Sequence, residues 1–190
     1  MPTFTLHPRL KRASAVAEIT GFNQSAQRDI KRRGYWFGDD SGGWLNATAH
    51  DLARLLLVRE LRDSHVELAE AWRQADEEVV GNIVLHALDF PGAIDASVAP
   101  DALKSGQLVK WKMRFAASRL DGNHVGGGDY FVFGKNIQSG QYATIDDALE
   151  ESRRGNKGRP IVSMQVVMLR ELSRLLAERA GELAFVVRED

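Results

Sequence analysis

The chain has 190 residues, of which 44% are hydrophobic and 27% are charged, a composition close to that of ordinary globular proteins. Such a length allows one domain or two compact ones, and the composition argues against a wholly disordered or fibrous chain. The sequence contains no cysteine, which excludes disulfides, thiolate nucleophiles and zinc–thiolate sites. No apolar run reaches the length of about 18 residues that a transmembrane helix needs. The N-terminus also lacks the apolar core of a secretory signal, so we expect a cytoplasmic location and no membrane partner.

The formal net charge of −1 hides a strong asymmetry along the chain. Residues 1–65 carry ten basic and seven acidic side chains, residues 66–103 carry one and eight, and residues 104–190 carry fourteen and eleven. The basic excess is concentrated between residues 7 and 34, with seven basic and two acidic side chains. The distribution of charge is a better guide to partners than the total, and here it indicates an anionic partner for the N-terminal segment.

Two short helices are predicted near the N-terminus. The first covers about 13–19, with Ser14 as its N-cap and Gly21 in the turn that ends it. The second covers about 24–33 and has Asn23 as its N-cap. Two short helices joined by a tight turn that contains glycine are typical of a helix-turn-helix unit.

A short β-hairpin is predicted next, because aromatic residues flank a Gly/Asp/Ser turn at 38–43. We expect the aromatic side chains to form the core of this hairpin: Trp36, Phe37 and Trp44. A third helix is predicted from Thr48 to about residue 62, where Thr48 and Asp51 have the spacing of a capping box.

One long helix is predicted over residues 64–90, where apolar residues recur at steps of three and four. Its apolar seam consists of Leu68, Trp72, Ala75, Val79 and Ile83. A long helix with such a seam predicts a dimer interface that pairs two protomers. A core helix packed within one chain has the same pattern, so this alternative stays open.

The second half of the chain changes in character. Residues 91–106 contain proline and glycine and are predicted to form a linker. Residues 108–115 alternate between apolar and basic side chains, which predicts a half-buried strand with a basic outer face. The remaining predicted elements are a strand at 130–133, an acidic helix at about 144–153, a strand or helix start at 161–167, a helix at 169–180 and a strand at 184–188.

Residues 17–63 resemble the winged helix-turn-helix of the MerR superfamily of bacterial transcription regulators. The resemblance is carried, in this order, by Thr20-Gly21, Arg28, Arg32-Arg33-Gly34, the turn at 38–43 and Asp51-Leu52-Ala53-Arg54-Leu55. Many members carry an aromatic pair where this sequence has Asp29 and Ile30. An acidic residue at this position can accept from cytosine or form an ion pair that orients Arg28 or Arg32.

The resemblance extends weakly to about residue 90, and together with the local patterns beyond it we expect an α+β protein in four parts. These are a winged helix-turn-helix at 1–63, a dimerisation helix at 64–90, a linker at 91–106 and a small α+β domain at 107–190. The resemblance also implies a regulator that binds double-stranded DNA as a homodimer, in the nucleoid.

Direct contacts with DNA are expected from the second helix, since a helix fits the major groove and its N-terminal residues reach base edges. Glutamine can pair with adenine, and arginine and lysine suit phosphates. The expected DNA-binding residues are Lys11, Arg12, Gln24, Ser25, Gln27, Arg28, Lys31, Arg32 and Arg33.

Other functions are less well matched by the residues. The five histidines have no metal-ligand spacing and no nucleophile is paired with a base in any familiar motif, so we expect no metal, no cofactor and no catalytic residue. Three alternatives stay open for the basic segment: a solvated face, a phage or mobile-element accessory protein similar to an excisionase, and a protein-interaction module that has lost DNA binding. The C-terminal domain is open to a small-molecule effector, a protein partner, a second dimer contact or further DNA contacts.

Overall fold

The computed structural model confirms the α+β class. It describes residues 3–35, 38, 45–104, 106–118, 127–156 and 159–189. Within these residues the chain forms eight α-helices, one short 3-10 helix and two three-stranded sheets. None of the described helices is long and apolar enough to span a bilayer.

The three predicted N-terminal helices are confirmed. They are α1 at Ala13–Thr20, α2 at Gln24–Arg32 and α3 at Ala49–Asp63. The Asn23 side chain accepts a hydrogen bond from the Ala26 amide at 2.9 Å, so it caps α2 as expected. Ser14, however, lies inside α1, which begins after Arg12 and has no side-chain cap.

Helix α3 begins at the predicted capping box. The Thr48 hydroxyl accepts from the Asp51 amide, and the Asp51 carboxylate accepts from the Thr48 amide. The backbone just before this cap makes a two-way bridge between Lys11 and Ala47, with both N–H···O distances at 2.8 Å. The predicted hairpin lies between α2 and this bridge. Apart from Gly38, its turn at 38–43 and the aromatics Trp36, Phe37 and Trp44 lie outside the described residues.

The prediction of one long helix over 64–90 is wrong, because the chain breaks it into α4 at Leu68–Gln74 and α5 at Glu77–Ala87. The Asp76 side chain accepts from the Val79 amide at 2.9 Å and so starts a new helix. Arg54 of α3 holds the break, since its Nε donates to the Ala75 carbonyl at 3.1 Å. A short polar side chain that can cap a helix thus overrides the continuous apolar pattern.

The predicted dimer seam is part of the core of one chain. Ala75, Val79 and Ile83 are each at most 2% exposed, while Leu68 and Trp72 pack against the same core and are half-buried. These residues are therefore largely unavailable to a second chain in the folded state. The seam has the helical spacing that we predicted, but it packs against other elements of the same chain.

The prediction of a linker over residues 91–106 is also wrong, because this segment is folded into the structure. It contains β2 at Ile94–Asp95 and a 3-10 helix at Pro100–Lys104. Four alanines of this segment are buried: Ala93, Ala96, Ala99 and Ala102. Their small side chains allow the backbone to pack closely against its neighbours. Pro91 and Gly92 form a turn before β2, and Pro100 begins the 3-10 helix.

The strand predicted at 108–115 is instead a helix, α6 at Leu108–Ala116. Val109 and Met113 are 63% and 40% exposed, whereas Phe115 is buried and Trp111 is half-buried. Trp111 and Phe115 are four residues apart, which places both on one helical face. The alternation of apolar and basic residues hid this spacing.

The later predictions are confirmed. The strand β3 at Tyr130–Phe133 lies between β4 at Gly140–Tyr142 and β5 at Gln165–Met168, and both pairings are antiparallel. The ambiguous stretch 161–167 thus becomes a strand that starts at Gln165. The other elements are α7 at Ile145–Gly155, α8 at Leu169–Ala180 and β6 at Ala184–Glu189.

The hydrophobic core crosses the predicted domain boundaries. A strand that we did not predict, β1 at Thr3–Pro8, pairs antiparallel with β6, and β2 pairs with β6 in parallel. One cluster of buried residues contains side chains from α1, α3, α5, α8 and β3. Residues 1–63 and 107–190 therefore share a core, which local sequence patterns cannot reveal.

A substitution in the former seam tests whether it belongs to the core. We expect Ile83→Ala to lower the free energy of unfolding by about 2–5 kcal/mol, because it leaves a cavity where the side chain is fully buried. The loss, measured by urea denaturation, should not depend on protein concentration. Val98→Ala is the control: Val98 is 77% exposed and should change stability by less than about 0.5 kcal/mol. A loss that appears only at low protein concentration would restore the dimer seam.

Candidate nucleic-acid interface

Five of the predicted DNA-binding residues share the exposed face of α2. They are Gln24, Ser25, Arg28, Lys31 and Arg32, and all of them are exposed. Their spacing of three, four and seven residues follows successive turns of the helix. The face thus offers an amide and a hydroxyl at its N-terminal end and three cations further along.

Gln27, by contrast, is buried and hydrogen-bonded inside the fold, which contradicts its prediction as an exposed DNA-binding residue. Its side chain is 5% exposed. Its Nε2 donates to the Phe22 carbonyl at 2.7 Å and to the Ala13 carbonyl at 3.1 Å. Both acceptors are backbone carbonyls at the two ends of the α1–turn segment, so Gln27 fixes α2 against α1 instead of reading bases.

The only acid on α2 is bound to two of the predicted phosphate-binding arginines. Asp29 forms ion pairs with Arg32 and Arg33, the latter at 2.8 Å between Arg33 Nε and Asp29 Oδ2. A hydrogen bond from Arg32, and to a smaller extent one from Arg33, holds the pKa of Asp29 below its ordinary value. These pairs orient both guanidinium groups and neutralise part of the local charge.

The turn between α1 and α2 is fixed by arginines from two distant elements. Gly21 ends α1 at a φ of 75°. This conformation favours glycine, and an added Cβ would also displace the Arg59 guanidinium, whose Nη1 would lie 1.3 Å from it. Arg59 of α3 donates to the Thr20 carbonyl at 3.1 Å, and Arg179 of α8 donates to the Ile19 carbonyl at 3.0 Å.

These two arginines satisfy carbonyls at the end of α1 that have no partner within the helix. Our sequence reasoning missed both of them. Arg59 lies in a helix with a regular arginine and leucine pattern, and Arg179 is 160 residues from its acceptor. No local signal distinguishes either from an ordinary exposed arginine.

The basic residues before α1 divide into two groups. Lys11 Nζ donates to the Ala180 carbonyl at 2.6 Å, and burial lowers the pKa of Lys11. Arg9 is paired with Asp95 at 3.0 Å and also with Glu182. Both cations thus bind the N-terminal segment to the C-terminal elements, which removes Lys11 from the expected phosphate-binding set. Arg12 is exposed at the N-terminus of α1.

A shallow groove of about 220 Å³ runs along α2 between its cations and the segment that leads to α3. Ala13 and Leu45 form its apolar part, and Gln24, Arg28 and Lys31 line it as well. An apolar floor beside hydrogen-bonding side chains suits the edge of a base or a sugar, and cations beside it suit phosphates.

Among the residues that the structure describes, no group of three or more His, Cys, Asp or Glu side chains is placed to hold a metal ion. His50 is buried with its Nε2 2.7 Å from the Ala116 carbonyl, and His86 lies 3.7 Å from an oxygen of Asp129. His124 lies outside the described residues.

The chain was compared with protein-family models, with curated proteins and with solved structures, and none of them matched. The function of α2 must therefore be inferred from its own geometry and charge.

The structural role of Gln27 can be separated from a binding role by stability. We expect Gln27→Ala to lower the free energy of unfolding by about 1–3 kcal/mol, because two partly buried carbonyls lose the Gln27 side-chain donor. Gln24→Ala, an exposed glutamine of the same helix, should change it by less than about 0.5 kcal/mol. Urea denaturation of both variants measures the difference. Equal stabilities would show that the buried hydrogen bonds of Gln27 are not formed.

The Asp29 ion pairs predict a titration shift with a definite sign. Because the pKa of Asp29 is lowered in the folded chain, its stabilising effect is present above the ordinary value of 3.8 and disappears as the pH falls through the folded value. NMR titration of the carboxyl carbon should give a midpoint below 3.8. In the Arg32→Gln/Arg33→Gln variant the midpoint should move up towards the ordinary value. An unchanged midpoint in this variant would contradict the pairing.

Proposed function

We propose that this chain binds double-stranded DNA with the exposed face of α2 in the major groove, as a transcription regulator of the MerR-like winged helix-turn-helix kind. The observation that carries the proposal is the composition of this face: Gln24 and Ser25 near the N-terminus of the helix, followed by Arg28, Lys31 and Arg32, all exposed. Side chains near the N-terminus of a recognition helix contact base edges, and cations along it contact phosphates.

The surroundings of α2 support the same proposal. A helix that reads bases must be held in a fixed orientation, because base-specific hydrogen bonds tolerate little displacement. The Gln27 side chain binds α2 to α1, and Arg59 and Arg179 bind the end of α1 to α3 and α8. The two-helix unit is therefore anchored from three sides while its cationic face stays exposed.

The role of each residue follows from its position. Arg28 and Gln24 lie beside the groove along α2 and are proposed to contact base edges. Lys31 and Arg32, with Arg12 at the start of α1, are proposed to contact phosphates. Arg33, which like Arg32 is paired with Asp29, contributes charge to the same region.

A second candidate is an accessory protein that bends DNA without regulating transcription directly. The burial of the expected seam residues Val79 and Ile83 favours it, because pairing of two chains over adjacent half-sites would need a different surface. A single chain on a single site is sufficient for an accessory protein. Mapping of bound sites across a genome separates the two: a few promoter sites favour the regulator, and clustering at phage attachment sites favours the accessory protein.

The proposed DNA contact is tested with duplexes selected from a randomised library by the purified protein. We expect Arg28→Ala to weaken binding to the selected duplex by about 1–3 kcal/mol, roughly 5- to 160-fold, because it removes a contact in the groove. Arg170→Ala is the matched control, since Arg170 is an exposed arginine at the start of α8. The affinity of this variant for the selected duplex should stay within about twofold of that of the unaltered protein. Fluorescence anisotropy measures both.

Two results would count against the proposal. Unchanged affinity in Arg28→Ala would remove α2 from the groove. Failure to select any duplex, or binding that does not weaken with salt, would remove the DNA contact itself, because phosphate contacts release counterions and make affinity fall steeply with salt. The protein-interaction module would then be the better hypothesis.

A further inference from the structure

A cavity of about 570 Å³ opens between β1, the first turn of α3 and α6. Its size lies within the range of roughly 300–1,000 Å³ that is typical of small-molecule sites. The proposed DNA-binding face has no part in it, since none of the exposed α2 residues lines the cavity. Its walls come from three elements that are far apart in the sequence and are packed together by the fold.

The apolar part of the cavity is formed by aromatic rings whose positions are fixed. Phe4 and Phe115 are buried at 5% and 8% exposure, and both line the cavity. The Phe4 and Trp111 rings meet edge to face with centroids 5.5 Å apart, a favourable geometry for aromatic pairs. A preformed aromatic wall of this kind suits a planar ring or another apolar body of similar size.

The wall between α3 and α6 is rigid as well. His50 of α3 is 5% exposed and lines the cavity. Its Nε2 donates to the Ala116 carbonyl of α6 at 2.7 Å, since a carbonyl can only accept. This bond connects the first turn of α3 with the end of α6.

The polar part of the cavity carries one positive charge. Arg114 is exposed and lines the cavity, and among the described residues it has no hydrogen bond or ion pair. Lys112 on the same helix, in contrast, is paired with Asp89 at 2.7 Å. Among the residues that the structure describes, no aspartate or glutamate lines the cavity. Its charge is therefore complementary to an anion.

We infer that this cavity binds a small organic anion, namely a carboxylate attached to a ring-sized apolar body. The ring lies against Phe4, Trp111 and Phe115, and the carboxylate pairs with Arg114, whose planar guanidinium matches the geometry of a carboxylate. This site goes beyond the proposed DNA contact and does not depend on it.

The test uses indole-3-acetate as a probe and indole-3-acetamide as a neutral ligand of nearly the same shape. Isothermal titration calorimetry of the full chain should give a dissociation constant for the acetate of about 1 mM or tighter and at least tenfold weaker binding of the acetamide. Arg114→Gln should weaken the acetate about tenfold and leave the acetamide unchanged. Lys110→Gln, which removes an exposed cation of α6 that does not line the cavity, should leave both affinities unchanged.

A second variant tests the apolar wall. Trp111→Leu should weaken the acetate and the acetamide by the same factor, because it removes a ring without changing the charge. The far-ultraviolet circular dichroism of each variant checks that it is folded. No binding of the acetate at millimolar concentration, equal affinities for acetate and acetamide, or an effect of Lys110→Gln as large as that of Arg114→Gln would each overturn the proposed site.

Discussion

The short turn between α1 and α2 depends on two guanidinium groups that reach it from other parts of the chain. Arg59 and Arg179 donate to the carbonyls of Thr20 and Ile19, the last residues of α1. An eight-residue helix such as α1 has too few internal hydrogen bonds to be stable alone. The orientation of α2 is therefore a property of the whole fold, because α8 and α3 must be packed before these two bonds can form.

This dependence explains why the two halves of the chain share one core. The strand β6 pairs with β1 on one side and β2 on the other, and α8 contributes buried leucines to the cluster that holds α1, α3 and α5. Lys11 adds a bond from the start of the helical unit to the Ala180 carbonyl at the end of α8. The C-terminal elements thus support the cationic face of α2, and the cavity beside α6 borders the same framework through His50.

Sequence patterns predicted the elements whose signals are local. The caps at Asn23 and Thr48 act through side chains within three residues of the groups they bind, so they can be recognised in the sequence. The seam through Val79 has the same spacing in a core helix as in a dimer helix, and only the fold decides what covers it. The alternation around Trp111 likewise fits a strand as well as a helix, and only its packing in the fold makes it a helix. The strand β1 has no local signal because it pairs with a strand at the far end of the sequence.

In the candidate site, too, some features follow from local sequence patterns and others depend on tertiary packing. The exposed side chains of α2, such as Gln24 and Arg28, follow from helical spacing, whereas the buried role of Gln27 depends on carbonyls that only the tertiary structure brings near.

The most direct test of the proposal that α2 reads DNA is the change in backbone amide NMR signals when a selected DNA duplex is titrated into the labelled protein. We expect the largest changes at residues 23–33 and at Arg12. Changes confined to residues 127–189, with the α2 signals unaffected, would contradict the proposal that α2 reads DNA.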